Sequence, residues 1–462
     1  MKYTAPTYFT TTQHNDIEKR IIAEKRRQAG VSFPAPRKQD YLLIVRLDVT
    51  QNDDKNLVSQ GLKRLCTLFE QIDREIIEIE DTSDEQDMYM VPLTKFNFSA
   101  TIGFGKTFFK KLDLLKKCPK NLYDLPSHYE IGDKFPYVLL QTDIILQIAS
   151  SNYVVNKMIL QNDNYLKRNR NLITRNLQYL HVAENGSFDI IEAIKGWAKI
   201  TDVHFGFHRA DGRNLMGHYD GISNPHRLMS NNIWISEDEG GIELANGTYM
   251  VFQKIEHNLI EWNKLNTQEQ EKWVGRSKAT GLLLGTLPPD EEKRLVSELA
   301  SIDPSRQKQA KIRLSKLIDE QRDPTKNFFD PYDIRYLNIY KNCPDSSHAR
   351  RSNPRKPNGG GHRLIFRRGC LYMDDDFVDH PKSGILFISF QNDIKIFEEM
   401  KRNLARRMSV TKVTEEPTPM NNYYGKQTHE KISFDTLTLG GGYYFVPPIP
   451  NKRISDIGEQ FF

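Results

Sequence analysis

The 462-residue chain has only four cysteines, Cys66, Cys118, Cys343 and Cys370, and none stands in a CxxC pair. That spacing excludes a zinc ribbon and a thioredoxin-type redox couple, and without a CxxCH there is no covalently attached haem. So few thiols suit a reducing compartment. No run approaches the ~18 apolar residues that a bilayer-spanning helix requires. The first residues, MKYTAPTYFTTTQHND, carry neither a basic-then-apolar leader nor a twin arginine. A soluble, cytoplasmic protein with no membrane partner is the expectation. Charge of one sign is scarce as well: 65 basic against 60 acidic residues leave a net +5, too mild to imply nucleic acid as a partner.

What is present is material for a core. Hydrophobic residues make up 38% and aromatic residues 10%, enough for roughly two or three domains at ~150 residues each. Order begins at YLLIVRLDV (41–49), a β-rich run. NLVSQGLKRLCTLFEQI follows, with Leu57, Leu62, Leu65, Phe69 and Ile72 at helical spacing. FSATIGFG (98–105) and FPYVLLQTDIILQIA read as strands, and SNYVVNKMILQNDNYLK (151–167) as a helix. The second half repeats this grammar with GTYMVFQKI (247–255), the helix EHNLIEWNKL, the strands HRLIFRRG and GILFISFQ (384–391), and the helix NDIKIFEEMKRNL (392–404). The pattern predicts two α+β domains of similar topology. The expected divisions are an arm over 1–39, a domain over 40–205, a loop over 206–246 and a domain over 247–462. A charged insertion at about 275–330, containing one or two exposed helices, interrupts the last of these.

Two stretches stand apart. MGHYDGISNPH (216–226) sets Asp220 between two glycines, either as a surface turn or as a carboxylate held where backbone must approach something closely. SSHARRSNPRKPNGGGHRLIFRRGCLYM (346–373) has six arginines and Lys356 but no acidic residue. A solvated basic loop, a phosphate-binding surface and a site for an anionic cofactor all fit such a run. No nucleic-acid-binding motif accompanies it. The cofactor reading connects the two stretches. Haem carries two propionates and an iron that takes a histidine, while peroxide cleavage on the other face needs a proton carrier and a cation.

These residues resemble the dye-decolourising (DyP-type) peroxidase family. Its GxxDG signature is matched by Gly217–Gly221, followed by Ser223, Asn224 and Pro225. Its HxRxxNPR signature resembles His348–Arg355, and its arginine-bearing strand resembles Leu364–Gly369, with Tyr372 soon after. An FQxD-like step lies at Phe390–Asp393, and weaker echoes lie at 102–105 and 274–276. The resemblance implies a fold of two ferredoxin-like α+β domains with antiparallel sheets and peripheral helices, haem b being held mainly by the C-terminal domain. It assigns His348 as proximal iron ligand and Asp393 as acceptor of the His348 ring N–H. Asp220 becomes the distal acid–base residue, Arg367 the distal cation and Arg355 a propionate contact, and Gly221 lets the backbone pass close to the ring. His218 and His226 are read as satisfied loop histidines, with a part on the distal side as the alternative, and His362 lies outside the motif.

The activity implied is reduction of hydrogen peroxide via a ferryl intermediate, with oxidation of organic electron donors such as dyes or phenols. Association into a homo-oligomer is expected. The alternative is a haem-binding or haem-handling protein with little turnover, which would keep His348 yet need neither Asp220 nor Arg367. A non-haem interaction module would need none of the three.

Overall fold

The computed structural model describes, apart from short breaks, residues 26–151, 180–224, 232–353, 365–405 and 436–462. The helix expected over 151–167 lies outside the described residues, as do Arg355, His226 and His362. Nine strands form the main sheet: β1 (Tyr41–Val49), β2 (Ser99–Phe104), β3 (Ile144–Ser150), β4 (Ala198–Phe207), β5 (Thr248–His257), β6 (Phe366–Arg367), β7 (Cys370–Met373), β8 (Ser383–Gln391) and β9 (Thr436–Val446). Their order is β7-β4-β1-β3-β2-β9-β5-β8-β6, and β7 pairs with β8 as well, which carries the sheet round into a ring. Five helices matter below: α1 (Lys55–Arg74), α2 (Pro289–Leu299), α3 (Pro304–Arg322), α4 (His348–Ser352) and α5 (Ile394–Ala405).

Each half is ferredoxin-like. In the first, the order β4-β1-β3-β2 is all antiparallel, with α1 following β1. In the second, β9-β5-β8 is antiparallel, and β6 and β7 both lie against β8. The halves meet at two thin seams, Phe104 opposite Phe445 and Leu371 opposite Phe207.

The continuous hydrophobic run of β1 has a physical reason: both of its faces are covered. Leu43, Val45, Leu47 and Val49 pack outward under α1, which contributes Val58, Leu62, Leu65 and Phe69 to the same cluster. Leu42 and Ile44 point the other way, into the ring with Phe252, Phe366 and Tyr444. Side chains alternate across a strand, so a strand between two apolar layers cannot alternate in polarity. Burying each of these side chains contributes ~1.5–3 kcal/mol.

Some expected elements differ. In FPYVLLQTDIILQIA only Ile144–Ser150 is strand, and Val138 and Leu140 are exposed. There the Gln141 amide substitutes for a backbone ladder, accepting from Tyr443 N and donating to Tyr443 O. Residues 275–330 do hold two helices, α2 and α3, but the segment is not wholly external. Arg276, Ser277, Thr280, Leu282 and Leu283 are buried, as is Gln321 near the end of α3. No helix among the described residues is long and apolar enough to cross a membrane.

Candidate functional site

A cavity of about 690 Å³ opens on the outer face of the second half-sheet. Alternation decides which side chains face it. On β5, Met250 and Phe252 point into the ring, whereas Gln253, Ile255 and His257 line the cavity. Phe387 of β8, Arg367 of β6 and Leu371 of β7 join them, and Phe397, Met400 and Leu404 of α5 form an apolar wall. The loop 208–224 supplies polar groups, and α4 supplies His348.

Asp220 and Arg367, far apart in sequence, come together here: Arg367 Nη1 lies 3.5 Å from Asp220 Oδ1. Asp220 sits on a turn closed by glycines in the left-handed region, Gly217 at φ 83° and Gly221 at φ 73°. A side chain at either position would be strained. The Gly221 amide donates to Asp220 Oδ1 at 2.6 Å, and the Asp220 amide donates to Gly212 O at 3.1 Å. Asn224 reaches Arg367 in the opposite sense, its Nδ2 donating to Arg367 O at 2.8 Å and its Oδ1 accepting from Arg367 N at 3.0 Å.

His348 opens the short helix α4, which packs on α5. Its Nδ1 has no hydrogen-bond partner among protein atoms. Removal from water pushes this imidazole down to about 4, with Arg367 and Arg276 acting in the same direction and Asp220 opposing. At neutral pH the ring is therefore uncharged, the form that can donate a lone pair to a metal. His348, Asp220 and Arg367 all line the same cavity.

The expected Asp393–His348 bond is not formed. Asp393 precedes α5 and caps it, Oδ1 accepting from Lys395 N at 3.0 Å, and it is absent from the cavity lining. A carboxylate immediately before a helix finds unpaired amides close at hand, and these take it.

Two further histidines line the cavity without having been read as site residues. His218 is buried with both ring nitrogens lacking a protein partner, so it is not a satisfied loop histidine. Burial pushes it down to about 3, and Lys278, Arg213 and Arg276 reinforce the shift. His257 is buried with Nδ1 unpartnered and pushed down to about 4 by burial, against the pull of Asp220. Three contacts around the turn were also not legible beforehand. Arg276 donates to Ser223 Oγ at 2.8 Å and to Gln321 Oε1 at 3.1 Å. Arg322 donates through Nε to Ile222 O at 2.7 Å. Arg368, next to the cavity arginine, instead turns into the ring and donates to Val31 O and Gln39 Oε1.

The residues present fit a haem. The cavity lies within the ~300–1,000 Å³ typical of cofactor sites. It has apolar walls, a neutral imidazole with an unengaged Nδ1, and a carboxylate–guanidinium pair facing the same space. A half-sheet carrying this set is what a haem peroxidase requires.

Comparison with known proteins agrees. The family model "Dyp-type peroxidase, C-terminal" matches residues 211–451, and "Dyp-type peroxidase, N-terminal" matches residues 28–174. The chain belongs to the Dyp-type peroxidase family, and it is a haem peroxidase. A dye-decolorizing peroxidase of Thermobifida fusca (strain YX) is 24% identical over 398 residues, 84% of this chain and 77% of that one. A deferrochelatase of Yersinia pestis bv. Antiqua (strain Nepal516) is 23% identical over 440 residues, 92% of this chain and 80% of that one. The crystal structure of a DyP-type peroxidase from Cellulomonas bogoriensis superposes with a TM-score of 0.60 at 18% identity, covering 94% of this chain and 97% of that chain.

Proposed function

We propose that this protein reduces hydrogen peroxide at a haem b held by His348, with Asp220 as proton carrier and Arg367 as the stabilising cation, and draws electrons from organic donors such as dyes or phenols. The observation that carries the reading is the Asp220–Arg367 pair, 3.5 Å apart, on the cavity that His348 also faces. Bound haem supplies the electron-transfer chemistry that no side chain here can provide.

Asp220 is the proton carrier in this reading because its carboxylate is the group paired with Arg367. Its carboxylate would take a proton from one oxygen of hydrogen peroxide and deliver it to the other, so that the departing oxygen need not leave as hydroxide; the two electrons that O–O cleavage takes are what a bound haem would supply. A guanidinium has no lone pair to serve as a base, so the role left to Arg367 is to hold negative charge on the peroxide oxygens. The division of labour is therefore fixed by chemistry. Both side chains keep some exposure, 41% for Asp220 and 30% for Arg367, so peroxide can reach them. Neutral His348 would hold the haem iron in this reading.

A second reading, haem handling with little turnover, draws support from the deferrochelatase that aligns with 92% of this chain. It makes no use of Asp220. The deciding experiment is the rate at which the visible spectrum of the haem-loaded protein changes after one equivalent of hydrogen peroxide, for wild type and Asp220→Asn. A slowing on the order of 100-fold or more is expected of a lost general acid–base. Equal rates would refute the role given to Asp220, and a spectrum indifferent to peroxide in both proteins would favour haem handling.

A further inference from the structure

We propose that Ile222, Ser223 and Asn224 form a three-point mount that sets where Asp220 stands relative to Arg367, and that the hairpin of α2 and α3 supplies its anchors through Gln321 and Arg322. This rests on the reading of Asp220 and Arg367 as the peroxide-handling pair.

The pair does not hold itself in place. An ion pair this exposed is worth only ~0–1 kcal/mol, less than the freedom two side chains give up to keep one geometry. The separation must come from the backbones that carry them. Asp220 and Gly221 lead directly into the mount, where the Asn224 amide donates to Gly221 O at 3.1 Å. Each residue of the mount is then fastened separately. Asn224 engages both backbone groups of Arg367, at 2.8 and 3.0 Å, as a neighbouring strand would. Ser223 receives the Arg276 guanidinium at 2.8 Å, and that guanidinium is steadied by Gln321 Oε1 at 3.1 Å and Gly281 O at 2.8 Å. Ile222 O receives Arg322 Nε at 2.7 Å.

Of the 19 residues of α3, only Ala310 and Gln321 are buried, so its contribution to a core is small. The hairpin meets the rest of the molecule at the end of α3, through Gln321 and Arg322, and in α2, where Glu292 accepts from Thr280 Oγ1 at 2.8 Å. Gln321 is fully engaged, also donating to Thr286 Oγ1 at 2.8 Å and accepting from Leu283 N at 3.3 Å. The hairpin acts as a strut, carrying a fixed contact from an exposed helix to the turn that bears Asp220. Asn224, Arg276, Gln321 and Arg322 are thus positioning residues that act through Asp220 and Arg367.

The test uses the haem-loaded protein with Asp220→Asn, Asn224→Ala, Arg322→Ala and Ser223→Ala. Two readouts are taken: kcat/KM for peroxide beside kcat/KM for an organic donor, and hydrogen–deuterium exchange of the peptides containing Gly221 and Arg367. A misplacement near 1 Å costs on the order of 100-fold, so Asn224→Ala should lose about 100-fold and Arg322→Ala about 10-fold in kcat/KM for peroxide. The donor value should stay within about 2-fold, a split that general loosening of the fold would not produce. Exchange at the Arg367 amide should accelerate in Asn224→Ala. Should that variant not fold, Ser223→Ala, which removes a single hydroxyl, is expected to lose a few-fold on peroxide alone. Wild-type peroxide kinetics in Asn224→Ala and Arg322→Ala, alongside a slow Asp220→Asn, overturn the mount. If Asp220→Asn is itself as fast as wild type, the peroxide reading is what fails; the mount is then decided by exchange, and unchanged protection at Gly221 and Arg367 overturns it.

Discussion

Replacing His218 with phenylalanine should stabilise the protein, and more strongly in acid. The imidazole is buried, with neither nitrogen paired to a protein atom, and lies edge-on to Trp262 at 6.0 Å. Phenylalanine keeps an aromatic ring against Trp262 and removes both polar atoms. An unmet buried polar group costs ~1–3 kcal/mol, so a gain of ~1–2 kcal/mol is expected near neutral pH. The acid term adds to it. In the unfolded chain the imidazole takes up its proton near pH ~6.5; in the folded protein it does so only at about 3. Between those values the unfolded state binds the extra proton, so wild type loses ~1.4 kcal/mol for each unit the pH falls, about 2 kcal/mol by pH ~5. The phenylalanine variant lacks this loss, and the other histidines titrate alike in both proteins and cancel. Urea unfolding of both proteins at about pH 7 and about pH 5 gives the two differences. A gap that does not widen on acidification would refute the reasoning. Wild type being the more stable near neutrality would show that the ring holds a partner, and His218 would become a site residue.

Removing the proposed axial ligand, His348→Ala, should leave a protein that does not retain haem through gel filtration, with millimolar imidazole restoring the absorption band; retention without imidazole would reassign the ligand. Gly221→Ala places a β-carbon at φ 73°, which costs ~1–2 kcal/mol. It should lower the melting temperature and slow the peroxide reaction together, and an unchanged melting temperature would contradict the turn geometry. Lys401→Met strips the ammonium from Asp133, 3.0 Å away and only 14% exposed. A loss of ~3–5 kcal/mol in urea unfolding is expected, largely recovered when Asp133→Leu is added. A double variant no better than the single would refute that account.

The parts of this molecule legible in the sequence are those where a local pattern has a single physical solution. The run Tyr41–Val49 is a strand between two apolar layers, and the spacing of Leu62, Leu65 and Phe69 permits only a helix with one buried stripe. The turn around Asp220 announced itself because both of its glycines are needed at positive φ. What stayed hidden depends on partners distant in the chain. Asn224 looked like part of a motif, yet its task is set by Arg367, 143 residues later. Gln321 and Arg322 lie in a charged, helix-forming stretch whose composition is that of a solvated surface, and only the fold brings its end to Ile222 and Arg276. The capping bond from Lys395 N to Asp393 likewise depends on the helix that starts there, and the motif around Asp393 does not announce it. Ring closure hangs on the single pairings Phe104–Phe445 and Leu371–Phe207, too slight to leave a pattern.

The position of β9 bears on the order in which the molecule is assembled. This strand, Thr436–Val446, comes long after β5 in the chain, yet it lies between β2 of the first half and β5 of the second. Its Tyr444 hydroxyl accepts from Arg46 Nε at 3.3 Å, and its Tyr443 backbone is held by Gln141. During synthesis from the N-terminus, β5 therefore emerges about 190 residues before the neighbour that will cover this edge, and β8, which covers the other edge, also emerges well after it. Closing so distant a contact is slow, because chain entropy is given up before any pairing compensates for it. Strand β9 is the keystone: a ribosome-bound chain ending before Thr436 should expose the β5 edge to chaperones, and emergence of Thr436–Val446 should lock the ring and the cavity on its outer face in one step.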